Sequence, residues 1–262
     1  MGFGNSCIGY GQVSSITSYP ASIPNHGGPT APPNHNTMKS TQRNRGFTLI
    51  ELLVVISIIA MLAAGAFGAY SKIMPGIRAK SAASTGKGIH TMLSAWSQDN
   101  DQQYPTADQS SNEAFRELFK AKLMDDEKSF AIANDPWHKN SPSGDGKGPD
   151  NDIGTAPDFQ QALMPGECAW AYVSGHDGSS NSQLPILANA FSEQVGVYSP
   201  DKTKKGGVFT GDKAAWVSVN GSAKTTDLSQ DFKVMEKKGT RTVDVFGNDW
   251  GTNPDNVKNP EG

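Results

Sequence analysis

Four acids stand where the sequence could do chemistry. Asp145, Asp150 and Asp152 fall close together in DPWHKNSPSGDGKGPDNDIG, residues 135–154, among glycines and prolines that let the backbone turn. Calcium takes six to eight oxygen ligands from carboxylates, carbonyls and water in a flexible loop. The trio is therefore a candidate calcium site, with a solvated Gly/Asp loop as the alternative. The EF-hand spacing with its distal glutamate is absent. The fourth acid, Glu51, is the one charged side chain between Leu49 and Ala69. A carboxylate set in so apolar a run costs on the order of 2–3 kcal/mol in a membrane and marks a function.

Other reactive types read as ordinary loop residues. Ser174, His176 and Asp177 in SGHDG are too close in sequence to form a nucleophile, base and orienting acid in order. His138 and His176 lack Cys or His partners at zinc spacing, and His26 and His35 sit in a low-complexity tract. Cys7 and Cys168 suggest no disulfide framework. There is no phosphate-cradling glycine loop and no nucleophile elbow. The composition thus points away from an enzyme.

The element that positions Glu51 is the run itself. An apolar helix of about 20 residues spans a bilayer core. Lys39, Arg43 and Arg45 precede it, and Lys72, Arg78 and Lys80 follow. The short acid-free N-terminal side favours a cytoplasmic start with the bulk of the chain outside. A secretory signal peptide would have a shorter apolar core. A plain anchor leaves Glu51 unexplained.

The string GFTLIELLVVISIIAMLAAGA, residues 46–66, resembles the cleavage and methylation segment of type IV pilins and type II secretion pseudopilins. The resemblance implies that a prepilin peptidase/N-methyltransferase cuts after Gly46 and methylates the new terminus at Phe47. It also implies that Glu51, the fifth mature residue, serves assembly. A buried carboxylate needs a partner, and the amine of a neighbouring copy would supply one. Residues 38–46, MKSTQRNRG, then form a basic leader, and residues 1–37 a disordered extension or a start assigned too early. The DPW string at Asp135 resembles the segment before the calcium loop of major pseudopilins, with His138 where that family has glycine. YPTADQ, PDNDI and VSVNGSAK bear a looser resemblance to pilin-like proteins of planctomycete and verrucomicrobial-type bacteria.

The remaining chain is expected to be an α+β domain over 71–245: a long N-terminal membrane-spanning helix (47–70) continued onto a small antiparallel sheet, rich in loops. Pro75-Gly76 predicts a bend or break. Ile77, Ala82, Ile89, Met92, Leu93 and Trp96 form a helical stripe to about Asp99, weakened by Gly86 and Gly88. Asn112 should cap a short helix bearing Phe115, Leu118, Phe119 and Leu123. The run Asp125–Lys128 reads as a solvated helix end. CAWAYV, LPILANAF and the segment from Gly206 supply strands, with Asn220-Gly221 a tight turn. Residues 246–262 look like a loop or tail.

The chain carries 23 Lys and Arg against 26 Asp and Glu; without residues 1–46 the count is 20 against 26. That acidic balance disfavours nucleic acid as a partner. The expected function is a structural pilin or pseudopilin subunit of a type II secretion or type IV pilus-like filament. Its partners would be copies of itself, other pilins, the peptidase and the inner membrane, with the C-terminal domain in the periplasm or on an extracellular filament. The alternative is a membrane-tethered, non-catalytic ectodomain that binds a surface glycan or protein.

Overall fold

The computed structural model describes residues 46–133, 135, 137 and 148–262, with the backbone alone at 66–69, 71 and 72. The 1–37 extension, all but Gly46 of the leader, His138 and Asp145 lie outside the described residues. The fold is α+β. Helix α1 is Leu49–Gln98, α2 is Ser111–Lys120, and the strands are β1 (Trp170–Val173), β2 (Pro185–Asn189), β3 (Lys213–Ser218), β4 (Ala223–Asp227), β5 (Met235–Lys238), β6 (Arg241–Asp244) and β7 (Val257–Lys258). Five strands form an antiparallel sheet in the order β4-β3-β2-β1-β7, and β5 pairs with β6 in a separate ribbon.

Helix α1 runs through Pro75 without a break, so the missing proline N–H is absorbed within the helix. Its side chains from Leu49 to Gly65 are largely exposed. That stretch rises roughly 26 Å at about 1.5 Å per residue, against a hydrocarbon core of about 30 Å. Among the described residues no helix is long and apolar enough to cross a membrane. The expected span over 47–70 rests on the sequence.

The second half of α1 buries a face of small residues, Ala79, Ala82, Ala83 and Gly86, followed by Ile89 and Leu93. Gly86 is what lets the helix approach the sheet. A Cβ there would stand 2.7 Å from Trp170 Cη2 and 3.0 Å from Val217 Cγ2. The glycine read as a weakness of the helix is thus a packing requirement, whereas Gly88 faces open space.

Both faces of the sheet are covered, which explains why β1 and β2 are buried throughout. Trp170, Tyr172, Leu187, Ala215 and Val217 point into the cluster shared with α1 and α2. Ala171, Val173, Ala188, Ala214 and Trp216 meet Phe191, Tyr198, Val234, Val245 and Phe246 on the other side. The alternation expected in CAWAYV is therefore between two apolar sets. The β3–β4 turn forms at Asn220-Gly221, with Gly221 at φ +77°, and seats against His90, whose Nε2 lies 2.8 Å from the Val219 carbonyl oxygen.

Three local expectations change. The N-cap of α2 is Ser110, one turn position before the helix. Asn112 lies inside it because its amide is needed elsewhere: Nδ2 donates to the Leu163 carbonyl and Oδ1 accepts from Glu261 N–H. The stretch 246–262 is tied down. Tyr172 pairs with Lys258 and Val173 with Val257 along the sheet edge, and the Asn259 side chain bonds the backbone of Phe191 and Ser192. The third change, at Glu127, bears on the candidate site.

Candidate functional site

Two places carry the sequence's candidate chemistry. At the N-terminus, Gly46, Phe47 and Thr48 precede the helix, which starts at Leu49. Glu51 sits in its first turn, where a carboxylate is favoured by the positive end of the helix dipole. Phe47 is 80% exposed and Leu49 82%. A Cβ on Gly46 would meet nothing within 4 Å. Any demand for glycine at position 46 must therefore come from whatever handles this segment. An uncovered apolar helix headed by one acid is a surface made to be buried against something else.

The second place lies around the 3-10 turn Glu127–Phe130. Glu127, Asp150 and Glu167 bring carboxylate oxygens within 4.8 Å of one another. Glu127 is fully buried, not the solvated helix end its neighbours Asp125 and Asp126 suggest. Its two oxygens accept N–H bonds from Leu163 (2.5 Å) and Asn151 (2.9 Å). Burial pushes its carboxyl above the ordinary range, the two N–H donors oppose this, and Asp150 and Asp152 push the same way as burial. Glu167 is nearly buried and accepts from Met164 N–H.

Of the sequence trio, the structure brings Asp150 into this cluster. Asp152 instead accepts from Gly154 N–H, and Asp145 lies outside the described residues. Asp135 stands apart, buried and accepting from Trp137 N–H; desolvation pushes its carboxyl up to about 6. Glu127 carried no sequence signal, since its burial depends on donors far along the chain. Glu167 carried one: an acid directly before the apolar strand segment CAWAYV.

The SGHDG residues turn to separate partners. Ser174 Oγ accepts from Ala107 N–H, His176 Nε2 lies 2.9 Å from the Pro185 carbonyl oxygen, and Asp177 accepts from Ser179 and Ser180. They form no relay. Cys168 is buried, and desolvation pushes its thiol up to about 12, which keeps it unreactive.

The fold is a helix-led α+β chain whose exposed apolar start bears one acid. Residues 41–67 match the prokaryotic N-terminal methylation motif. Over this segment the chain is similar to type IV pilins. It is 37% identical over 93 residues to the type IV major fimbrial protein FimA of Dichelobacter nodosus, covering 34% of this chain and 57% of that protein. It is 39% identical over 74 residues to a fimbrial protein of the same organism, covering 28% of this chain and 45% of that one. The chain thus spans about half the length of these curated relatives. No solved structure matches it.

Proposed function

We propose that the chain is a filament subunit of the type IV pilin kind. It enters the inner membrane through residues 47–70, is cleaved after Gly46, is N-methylated at Phe47 by the prepilin peptidase, and packs α1 against copies of itself and other pilins. The single observation that carries this reading is the start of α1: an apolar surface left exposed from Leu49 onward, with Glu51 in its first turn. Exposed apolar area on this scale is covered in the working state by lipid or by other helices. Glu51 then meets the terminal amine of a neighbouring copy, and each charge offsets the other's desolvation. The filament would serve a type II secretion system or a pilus.

Cysteines introduced between Val54 and Ala64 test it. Oxidation of cells carrying them should give a ladder of cross-linked species. A membrane-tethered ectodomain acting alone would give none, and that result overturns the filament reading.

We also propose that calcium is bound by Asp150 with Glu127 and Glu167. Three hard carboxylate ligands, two of them nearly buried, suit this cation's preference for oxygen. A divalent charge would also offset the burial, and with it the repulsion from Asp150, that raise the Glu127 carboxyl.

A further inference from the structure

Arg78 is a cation with no anionic partner among the described residues. It lies on α1, half-buried, with Nε shut off from solvent and lacking a hydrogen-bond partner. Its guanidinium makes no ion pair among the described residues. A secluded charged donor left unbonded costs on the order of 1–3 kcal/mol or more, a cost relieved if the guanidinium turns to bring Nε to an acceptor in the neighbouring recess.

The space for one exists. Arg78 borders a recess of about 690 Å³ between α1 and the segment from Asp126 to Ala133. Ser81 and Thr85 line it from the helix, Lys128 and Ser129 from the opposite wall. Lys128 makes no ion pair among the described residues either. Asp126 also lines the recess and keeps its negative charge while its carboxylate accepts the Lys128 N–H at 2.8 Å; the two cations outnumber it. Thr85 gives its proton to the Ser81 carbonyl at 3.3 Å, and Ser81 and Ser129 line the same recess as the two cations.

We propose that this recess binds a phosphate oxyanion. Arginine's planar fork matches two phosphate oxygens, and lysine adds a point charge from the far side. Donors on opposite walls suit a tetrahedral group with several oxygens better than a planar carboxylate. The phosphate is either a free anion or the headgroup of an anionic lipid. The second source is reasonable because Arg78 follows the apolar run by about two helical turns, and helix side chains tilt back towards the N-terminus. The binding chemistry itself does not depend on the proposed function; only the lipid source does.

The test uses the full chain in maltoside detergent, with the ¹⁵Nε resonance of Arg78 assigned by its loss in Arg78→Gln. Inorganic phosphate and short-chain phosphatidylglycerol are titrated separately, and calorimetry gives the affinity. A saturable shift with phosphate assigns a free anion; a shift with the lipid alone assigns the headgroup. Lys128→Gln, at a more exposed position that spares the α1 packing, should weaken binding by about tenfold, the loss of one charge-assisted contact. Arg78→Gln should weaken it further. A resonance unmoved by both probes overturns the proposal, as does one that moves only with protein concentration, since a carboxylate of a second copy would then fill the recess. Equal affinity in both variants overturns it too. Carbonate extraction of the parent membranes checks membrane residence separately, so failure of that reading leaves the phosphate titration interpretable.

Discussion

Alanine at Gly86 and alanine at Gly88 should change stability in opposite directions, although the two positions share one helix and one substitution. In a helix interior, Gly→Ala is favourable by about 0.8–1.0 kcal/mol, and that gain is common to both. At Gly88 nothing lies within 4 Å of the added methyl, so the gain stands alone. At Gly86 the methyl would sit 2.7 and 2.8 Å from Trp170 Cη2 and Cζ3 and 3.0 Å from Val217 Cγ2. Carbon atoms prefer roughly 3.5–4.0 Å, so the helix or the indole must move by about an ångström. Trp170 and Val217 are fully buried, which leaves little room to give. Overpacking of this kind costs about 1–3 kcal/mol. Because the propensity gain cancels between the variants, their difference isolates the clash and should be about 1–3 kcal/mol. Urea unfolding of the detergent-solubilised chain, followed by tryptophan fluorescence, measures it. Equal stabilisation by both alanines would refute the packing of α1 on Trp170.

Three further outcomes follow from the structure. Burial holds His90 and His176 below the ordinary value of 6.5, so between the folded and unfolded values the unfolded chain binds more protons. Their contribution is complete above about 6.5 and is lost as pH falls through the folded values; the urea midpoint should drop on acidification, and less so in His90→Gln. Asp135, raised to about 6 from 3.8, acts in the opposite sense: its contribution is present below 3.8 and lost as pH rises through about 6, so Asp135→Asn should steepen the acid loss. Calcium at about a hundredfold excess over its dissociation constant should stabilise the chain by about 2.7 kcal/mol, and Glu127→Gln should abolish the shift; an unmoved midpoint in the parent chain would remove the calcium site. Mass spectrometry of the membrane-borne protein should find a terminus at methylated Phe47, while Gly46→Ala should block cleavage without altering unfolding, because that methyl touches nothing in the chain.

What could be read ahead of the structure was what is local. The helix start, the length of α1 to Gln98 and the Asn220-Gly221 turn are written in neighbouring residues, and each was legible. Glu127 was not, because DDEK looks like any solvated run. Its burial depends on N–H groups of Asn151 and Leu163 that only the tertiary fold brings to it. The stretch 246–262 has no periodicity to reveal that Val257 and Lys258 complete the sheet edge beside β1. Gly86 illustrates the same limit: helix propensity sees a cost, and only the position of Trp170 turns it into a requirement. Asp150 gathers with Glu127 and Glu167 from two other segments rather than with Asp152, and Asp145 lies outside the described residues.

The central claim is that Glu51 serves assembly rather than membrane residence. It is tested most directly by expressing Glu51→Ala alongside the wild-type chain and measuring how much of each is membrane-bound and how much enters sheared filaments. Glu51→Ala should be processed and held in the membrane like wild type yet strongly depleted from filaments. Incorporation of Glu51→Ala at the wild-type level would contradict it.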